Sequence, residues 1–106
     1  MRRGDIYMVH LPEPVGRRPA LIVTRTGAIS VRNAVTVAPV TRTVRDIPTE
    51  LPLGRRHGLK ARSVANCDSL QRIPKHAVRK GPIGRLTTDE LPELDRALRF
   101  ALGIRA

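Results

Sequence analysis

The chain reads as a mainly β domain closed by one C-terminal helix, an α+β arrangement in which a small, strongly curved sheet or barrel carries a helix packed on it. Three observations predict this. Short apolar stretches of strand length recur up to about residue 86, separated by Pro, Gly and Arg. The apolar period changes from two to three-and-four only after that point. The length, 106 residues, suits a single domain covering 1–106, with a modest core that pairing with a second copy would enlarge.

Residues 5–11 (DIYMVHL) alternate, with Ile6, Met8 and His10 on one side and Tyr7, Val9 and Leu11 on the other. This is a strand with one mainly apolar face. Residues 12–18 (PEPVGRR) hold two prolines and a glycine and form a loop. The continuous apolar run 19–25 (PALIVTR) is of strand length and rich in β-branched residues, which favours a buried strand over a helix. Residues 34–41 (AVTVAPVT) are a further strand, in which Pro39 cannot donate to a ladder and belongs at an edge or a bulge. Residues 47–53 (IPTELPL) suggest a short strand interrupted by Pro48 and Pro52, and GRRHG at 54–58 a turn. Residues 60–66, a short piece around Gln71–Ile73, and 82–86 complete the strands. From Thr87 to Gly103, Leu91, Leu94, Leu98 and Leu102 recur at helical spacing with Ala97 and Ala101 beside them. Thr87 and Glu90 have capping-box spacing, Asp89 and Glu90 suit the helix dipole, Pro92 falls in the first turn and Gly103 is a natural stop. Aromatic residues are scarce, so Leu, Ile, Val and Ala must fill the core, joined by Tyr7 and Phe100.

Charge is the loudest compositional signal. Twenty Lys and Arg against nine Asp and Glu leave a net +11, a field that draws polyanions. Most of the cations are arginines, whose planar fork suits phosphates and base edges. Cys67 is the only cysteine, so no internal disulfide forms, as suits a reducing cytoplasm. No stretch resembles a signal peptide, and none approaches the roughly 18 apolar residues of a membrane span. A cytoplasmic location without a membrane partner is therefore expected. His10, His57 and His76 form none of the paired spacings of metal sites and Cys67 has no CxxC partner, so neither a metal nor a cofactor is expected. Phosphate-loop, dinucleotide-binding and nucleophile-elbow motifs are absent as well.

Two steps carry possible chemistry. Arg17-Arg18-Pro19 places a basic pair where a loop enters a strand, and Pro19 holds Arg18 extended. Pro39-Val40-Thr41-Arg42-Thr43 runs a strand out into hydroxyls interleaved with a guanidinium, the groups a phosphodiester site needs. Taken alone, each step reads equally well as a solvated arginine or a β-forming threonine.

Five segments in order along the chain resemble MazF/PemK-like toxins. RRGDIYMVHL is similar to their RGDIWLVDL opening, RRPALIVTR to RPAVVVSN, VTVAPVTRT to VTVVPLTS, SVANCDSLQRI to SVALCDQIRTI, and the closing GPIGRLTTDELPELDRALRFALGI to their IGRLS…LDEALRLALGL helix. The resemblance implies an SH3-like barrel of the CcdB/MazF type, an obligate homodimer, and a sequence-selective endoribonuclease that cleaves single-stranded RNA. Cleavage by attack of the 2′-hydroxyl on the adjacent phosphate leaves a cyclic phosphate and a 5′-hydroxyl without a metal. It also implies a cognate antitoxin whose acidic, flexible tail lies across the RNA groove. Carried over by position, Arg18 and Thr41 are the expected catalytic pair: Arg18 against the charge developing on phosphorus, Thr41 on a phosphate oxygen or the 2′-hydroxyl. Arginine is too basic to accept the proton, so the base stays open. Arg17, Arg42, Arg45, Gln71 and Arg72 are expected RNA-groove residues. The chain departs from the pattern in a shorter loop before Arg18, in His10 where Asp is commoner, and in Asn66 and Asp68 where one branch carries an Arg-x-Asp pair. Two other readings stand beside this one: a CcdB-like toxin that binds gyrase, and a basic RNA-binding module without catalysis.

Overall fold

The computed structural model describes residues 1–105. Seven strands form one sheet: β1 (Asp5–His10), β2 (Arg17–Ile22), β3 (Ala34–Thr41), β4 (Glu50–Leu53), β5 (Ser63–Asn66), β6 (Gln71–Pro74) and β7 (Gly84–Arg85). A single turn of helix, α1 (Thr26–Ile29), joins β2 to β3, and α2 (Leu91–Leu102) is the last element. The strand order is β4-β5-β3-β2-β1-β7, every pairing is antiparallel, and β6 lies on β3 beside β5. Past β6, Val78 bridges to Val9, and the Arg79 N–H donates to the Met8 carbonyl at 3.0 Å. The ribbon β1-β2-β3-β6 thus curls back toward β1 as a small half-barrel, while β4 and β7 end the sheet.

Alternation along the strands divides the core in two. Tyr7, Val9 and Leu11 of the first strand and its exit, Ala20 and Ile22 of β2, Val35 and Val37 of β3 and Ile73 of β6 fill the barrel interior, with Ile29 of α1. The residues between them (Ile6, Leu21, Ala38, Val40) face outward against Leu51, Leu53, Ala65 and Cys67 and, from α2, Leu94 and Ala97. Burial on both faces explains why 19–25 reads as an unbroken apolar run rather than an alternating one. The strand itself runs from Arg17 to Ile22, two residues ahead of that run, because β1 pairs with it from His10↔Arg17 onward.

Pro39 lies where its missing donor is not needed. The Val23 N–H donates to the Thr36 carbonyl, and the Thr36 N–H to Thr24 Oγ1. Even-numbered residues of β3 therefore turn their backbone toward β2, and odd-numbered ones toward β5 and β6. On that second side β6 stops at Val37↔Gln71 and β5 starts at Val40↔Ala65. The 3-10 turn Cys67–Ser69 fills the interval, so Pro39 sits at the junction of β5 and β6 inside the central strand β3, not at the edge or bulge expected from its missing donor.

The helix begins with a 3-10 turn (Thr88–Glu90) and becomes α-helical at Leu91, with Pro92 in its first turn. Gly103, at φ 69°, turns the chain off it in the left-handed region, and the Ile104 N–H returns to the Arg99 carbonyl. Leu94 and Ala97 are buried, and Leu91, Leu98 and Ala101 partly so. Full burial of a leucine such as Leu94 contributes about 1.5–3 kcal/mol. Phe100 corrects the sequence expectation: it is 62% exposed, because its position on α2 points away from the stripe that carries Leu94 and Ala97. Leu102, expected to extend that stripe, is 58% exposed as the helix runs past the sheet. Expected strands 47–53, 60–66 and 82–86 shorten to Glu50–Leu53, Ser63–Asn66 and Gly84–Arg85.

A buried polar lock ties α2 to the β4–β5 loop. The Gly54 N–H donates to His57 Nδ1 at 3.1 Å, which leaves the ring proton on Nε2, 2.8 Å from Glu90 Oε2. The same carboxylate accepts from Arg56 (2.6 Å) and from the Thr87 N–H (2.8 Å). Burial raises the Glu90 pKa, but the Thr87 and His57 hydrogen bonds outweigh it and hold the carboxyl below its ordinary value. Just beyond, Gly58 and Gly84 let two backbones touch: a Cβ on Gly58 would strike the Ile83 carbonyl, and one on Gly84 the His57 carbonyl.

Two outcomes follow from this corner. Gly84→Ala forces backbone against backbone and is expected to lower stability by about 3 kcal/mol or more, read from the urea midpoint. Glu90 has a folded pKa below its unfolded one, so its contribution is complete above the unfolded value of about 4.3 and is lost as pH falls through the folded value. Glu90→Gln is therefore expected to be less stable than the wild type at pH 7, with the gap closing toward pH 3 in parallel urea titrations.

Candidate functional site

The pairing of β2 on β3 (Ala20↔Pro39, Leu21↔Ala38, Ile22↔Val37) sets the site. Continued two residues toward the open end of the hairpin, this register brings Arg18 opposite Thr41, and one further Arg17 opposite Arg42. The strand ends leave the core here, and two cavities open on either side of them. One, of about 680 Å³, has a largely apolar floor (Met8, Pro19, Val40, Leu59, Ile83) under a cationic rim of Arg17, Arg42 and Lys60. The other, of about 270 Å³, is polar and gathers Arg45, Glu50, Asn66, Ser69 and Gln71. Arg18, Thr41 and Thr43 line both, so the expected catalytic pair stands in the wall that the cavities share.

Both side chains of that pair have bonding capacity to spare. Arg18 is half-buried, and its Nε is shielded from solvent with no hydrogen-bond partner among the described residues. An unpaired buried donor costs about 1–3 kcal/mol, which an arriving anion would recover. Thr41 Oγ1 accepts from the Thr43 N–H at 3.2 Å, and its own proton remains free to donate. The charge balance points the same way. Among the described residues, the arginines in ion pairs are Arg3, Arg56, Arg62 and Arg85, all outside the cavities. Arg17, Arg18, Arg42, Arg45 and Lys60 make no ion pair among the described residues, so the positive charge at the cavities is not neutralised by acidic partners.

Of the residues expected to form an RNA groove, Arg17 and Arg42 line the larger cavity and Arg45 and Gln71 the smaller one. Arg72 lines neither; in β6 it alternates with Gln71 and Ile73 and lies exposed opposite Thr36. His10 is exposed at the end of β1. Asp68 takes a structural part, accepting from the Thr49 hydroxyl at 2.6 Å. Burial pushes the Cys67 thiol up to about 11, helped by the Asp68 charge, so it stays protonated and unreactive at neutral pH. Glu50 and Ser69 were not picked out by sequence reasoning, Thr43 stood only in the Thr41-Arg42-Thr43 step, and Asn66 only as a departure from the family pattern. Asn66 caps the 3-10 turn by accepting the Asp68 N–H at 3.0 Å and donates to Ser69 Oγ at 3.2 Å, which fixes the wall of the smaller cavity. Among the described residues, no helix is long and apolar enough to cross a membrane, and no group of three or more His, Cys, Asp or Glu side chains is arranged to hold a metal ion.

Comparison with known proteins agrees with this geometry. A family model described as the PemK-like, MazF-like toxin of type II toxin–antitoxin systems matches residues 2–102. The "Endoribonuclease MazF3" of Mycobacterium tuberculosis is 38% identical over 96 residues, spanning 91% of this chain and 92% of that protein. The "Probable endoribonuclease MazF2" of the same organism is 34% identical over 104 residues, spanning 97% and 99%. Among solved structures, the Mycobacterium tuberculosis toxin MazF-mt6 superposes with a TM-score of 0.88 at 35% identity, covering 96% of this chain and 99% of its own. An endoribonuclease in complex with its cognate antitoxin, from a mycobacterial species, superposes at 0.85 with 26% identity, covering 100% and 98%. The curved antiparallel sheet with its closing helix is thus the CcdB/MazF toxin barrel, and the chain belongs to the PemK-like, MazF-like family of type II toxins.

Proposed function

We propose that this chain is the toxin of a type II toxin–antitoxin pair, an endoribonuclease that cleaves single-stranded RNA at preferred sequences and so stops translation and growth. The observation that carries this reading is the unpartnered, buried Nε of Arg18 and the free hydroxyl proton of Thr41, on two residues that both line a cavity with a cationic rim and its smaller polar neighbour. Attack by the neighbouring 2′-hydroxyl makes phosphorus five-coordinate and adds charge to its oxygens. A guanidinium held by strand packing stabilises that charge more than it stabilises the ground state. Thr41 donates to one of the same oxygens and keeps the linkage in register. Because the nucleophile comes from the RNA, the route calls for no metal-bound hydroxide and no cofactor. Arg17, Arg42 and Arg45 receive flanking phosphates, and Gln71, Asn66 and Ser69 offer amide and hydroxyl edges to a splayed base. With both described aromatic side chains outside the cavities, base stacking falls to arginine planes.

A second copy of the chain and an antitoxin belong to the same reading. An acidic, flexible tail laid over Arg17, Arg42, Arg45 and Lys60 would neutralise the field that draws RNA. Work in the cytoplasm fits a chain whose single thiol is buried and protonated.

Incubation of the purified chain with total RNA in EDTA, followed by mapping of the ends, tests the activity. Cuts bearing cyclic-phosphate and 5′-hydroxyl ends are expected. Binding without cutting would leave the non-catalytic module, and inhibition of gyrase the CcdB-like toxin. Arg18→Ala is expected to slow cleavage roughly 10²- to 10³-fold. Thr41→Val should slow it by roughly 10- to 100-fold, with little change in melting temperature for either variant. Arg42→Ala and Arg45→Ala should weaken RNA binding and make its logarithmic salt dependence shallower by about 0.7 for each phosphate contact removed.

A further inference from the structure

Cleavage through the 2′-hydroxyl needs a group to take its proton, and the arginines of the site cannot. The ionisable side chains lining the two cavities are the cations Arg17, Arg18, Arg42, Arg45 and Lys60, and a single carboxylate, Glu50. Resting on the reading of this chain as an RNA-cleaving toxin, we propose that Glu50 is the general base that accepts the 2′-hydroxyl proton.

The sheet places it for that task. Strands β4, β5 and β3 lie side by side, with Leu51, Ala65 and Val40 in one row and Glu50 opposite Asn66 in the next. Leu51, Ala65 and Val40 point into the core beneath α2. Alternation turns Glu50, Asn66, Pro39 and Thr41 to the other face, where all four line the smaller cavity together with Arg18. Two strand spacings, about 10 Å, separate the strand of Glu50 from that of Thr41, room for one ribose and its phosphodiester.

The carboxylate is also held. Glu50 is 7% exposed, and its Oε1 accepts the Arg45 N–H at 2.9 Å and the Asp46 N–H at 3.1 Å. Asp46, at φ 56°, makes the turn that aims both donors at one oxygen. Oε2 makes no hydrogen bond or ion pair among the described residues. One oxygen therefore orients the group while the other is left to work, the arrangement a general base requires. The charged groups that share the cavity with Glu50 are Arg18 from β2 and Arg45 from the loop it holds, while Asp68 beside β5 is engaged by Thr49.

The step is balanced. The 2′-O–H proton passes to Glu50 Oε2 as the 2′-oxygen bonds to phosphorus. The bond from phosphorus to O5′ breaks with its electron pair on O5′, and the proton is relayed from Glu50 through water to O5′. The products are a 2′,3′-cyclic phosphate and a 5′-hydroxyl, and Glu50 returns to its starting state.

The test compares the wild type with Glu50→Gln on a short RNA taken from a wild-type cut site. An uncleavable copy with 2′-deoxyribose at the cut position serves as the binding probe. Glutamine keeps an oxygen for the Arg45 and Asp46 N–H groups but takes no proton. The expected result is a fall in kcat of roughly 10²- to 10⁴-fold, unchanged affinity for the uncleavable copy, and loss of the acid limb of kcat/KM against pH. A glutamine variant that cuts at the wild-type rate, or that keeps the acid limb, overturns the assignment of Glu50 alone. A wild type that leaves RNA uncut overturns the RNA-cleaving reading and this assignment with it. If Glu50→Gln melts below the assay temperature, Glu50→Asp decides: its retained carboxylate should cut more slowly with an acid limb, and a flat profile overturns the proposal.

Discussion

The site depends on one constraint, the antiparallel register between β2 and β3, which is set by burial on both faces of the sheet. A slip of one residue would exchange Ala20 and Ile22, which fill the barrel, with Leu21, which packs under α2, and would do the same to Val35, Val37 and Ala38 on the partner strand. Neither compartment accepts the other's residues without voids or clashes, so packing admits a single register. Just beyond the last pair of that register, Ala20↔Pro39, Arg18 and Thr41 reach the same two cavities. No contact between the two side chains is needed to bring them together; the adjoining core residues Ala20 and Val40 do so. This explains how a basic and a polar residue stay side by side with their bonding capacity unspent, which two groups that bonded to each other could not do.

Electrostatics follows from the same economy of contacts. Arginines with structural tasks meet partners: Arg3 reaches Asp95 on α2 at 2.7 Å, and Arg56 meets Glu90. The cations around the cavities make no ion pair, and their mutual repulsion is the cost of keeping positive charge at the strand ends. Glu50 enters this field bound by backbone N–H groups instead of by an arginine, which leaves an acidic oxygen among cations without quenching them.

The helix matters to the site through a contact remote in sequence. Glu90 at the entrance of α2 grips His57, 33 residues away, and the chain just after His57 supplies Gly58 and Leu59 to the larger cavity. Gly58 lies close against Ile83 and Gly84 against His57, so the buried lock sits directly behind this part of the cavity wall. The helix thus reaches the cavity wall through the Glu90–His57 contact, although α2 contributes no side chain to either cavity.

Local chemistry made much of this legible in the sequence. Alternation located the first strand, apolar stretches of strand length between Pro, Gly and Arg located others, and the Thr87–Glu90 spacing and Gly103 bounded the helical region, whereas Pro39, expected at an edge or a bulge, lies inside the central strand β3. Arg18 and Thr41 stood out because each ends a strand in a polar step and because the surrounding segments resemble one family. The remainder is pairwise and long-range. Phe100 is apolar and lies on an amphipathic helix, yet which part of α2 meets the sheet is set by where Leu94 and Ala97 dock, so it faces solvent. Arg72 and Gln71 are neighbours in sequence, and only the face that β6 presents to β3 decides that Gln71 lines a cavity and Arg72 does not. Glu50, within IPTELPL, reads as the polar side of a short strand. Its place beside Arg18 and Thr41 exists only because β5 comes between β4 and β3 and aligns their pleats. Sequence determines what each residue can do, since propensity and polarity are local; tertiary structure decides which of them meet, since strand order and register come from the packing of the whole core.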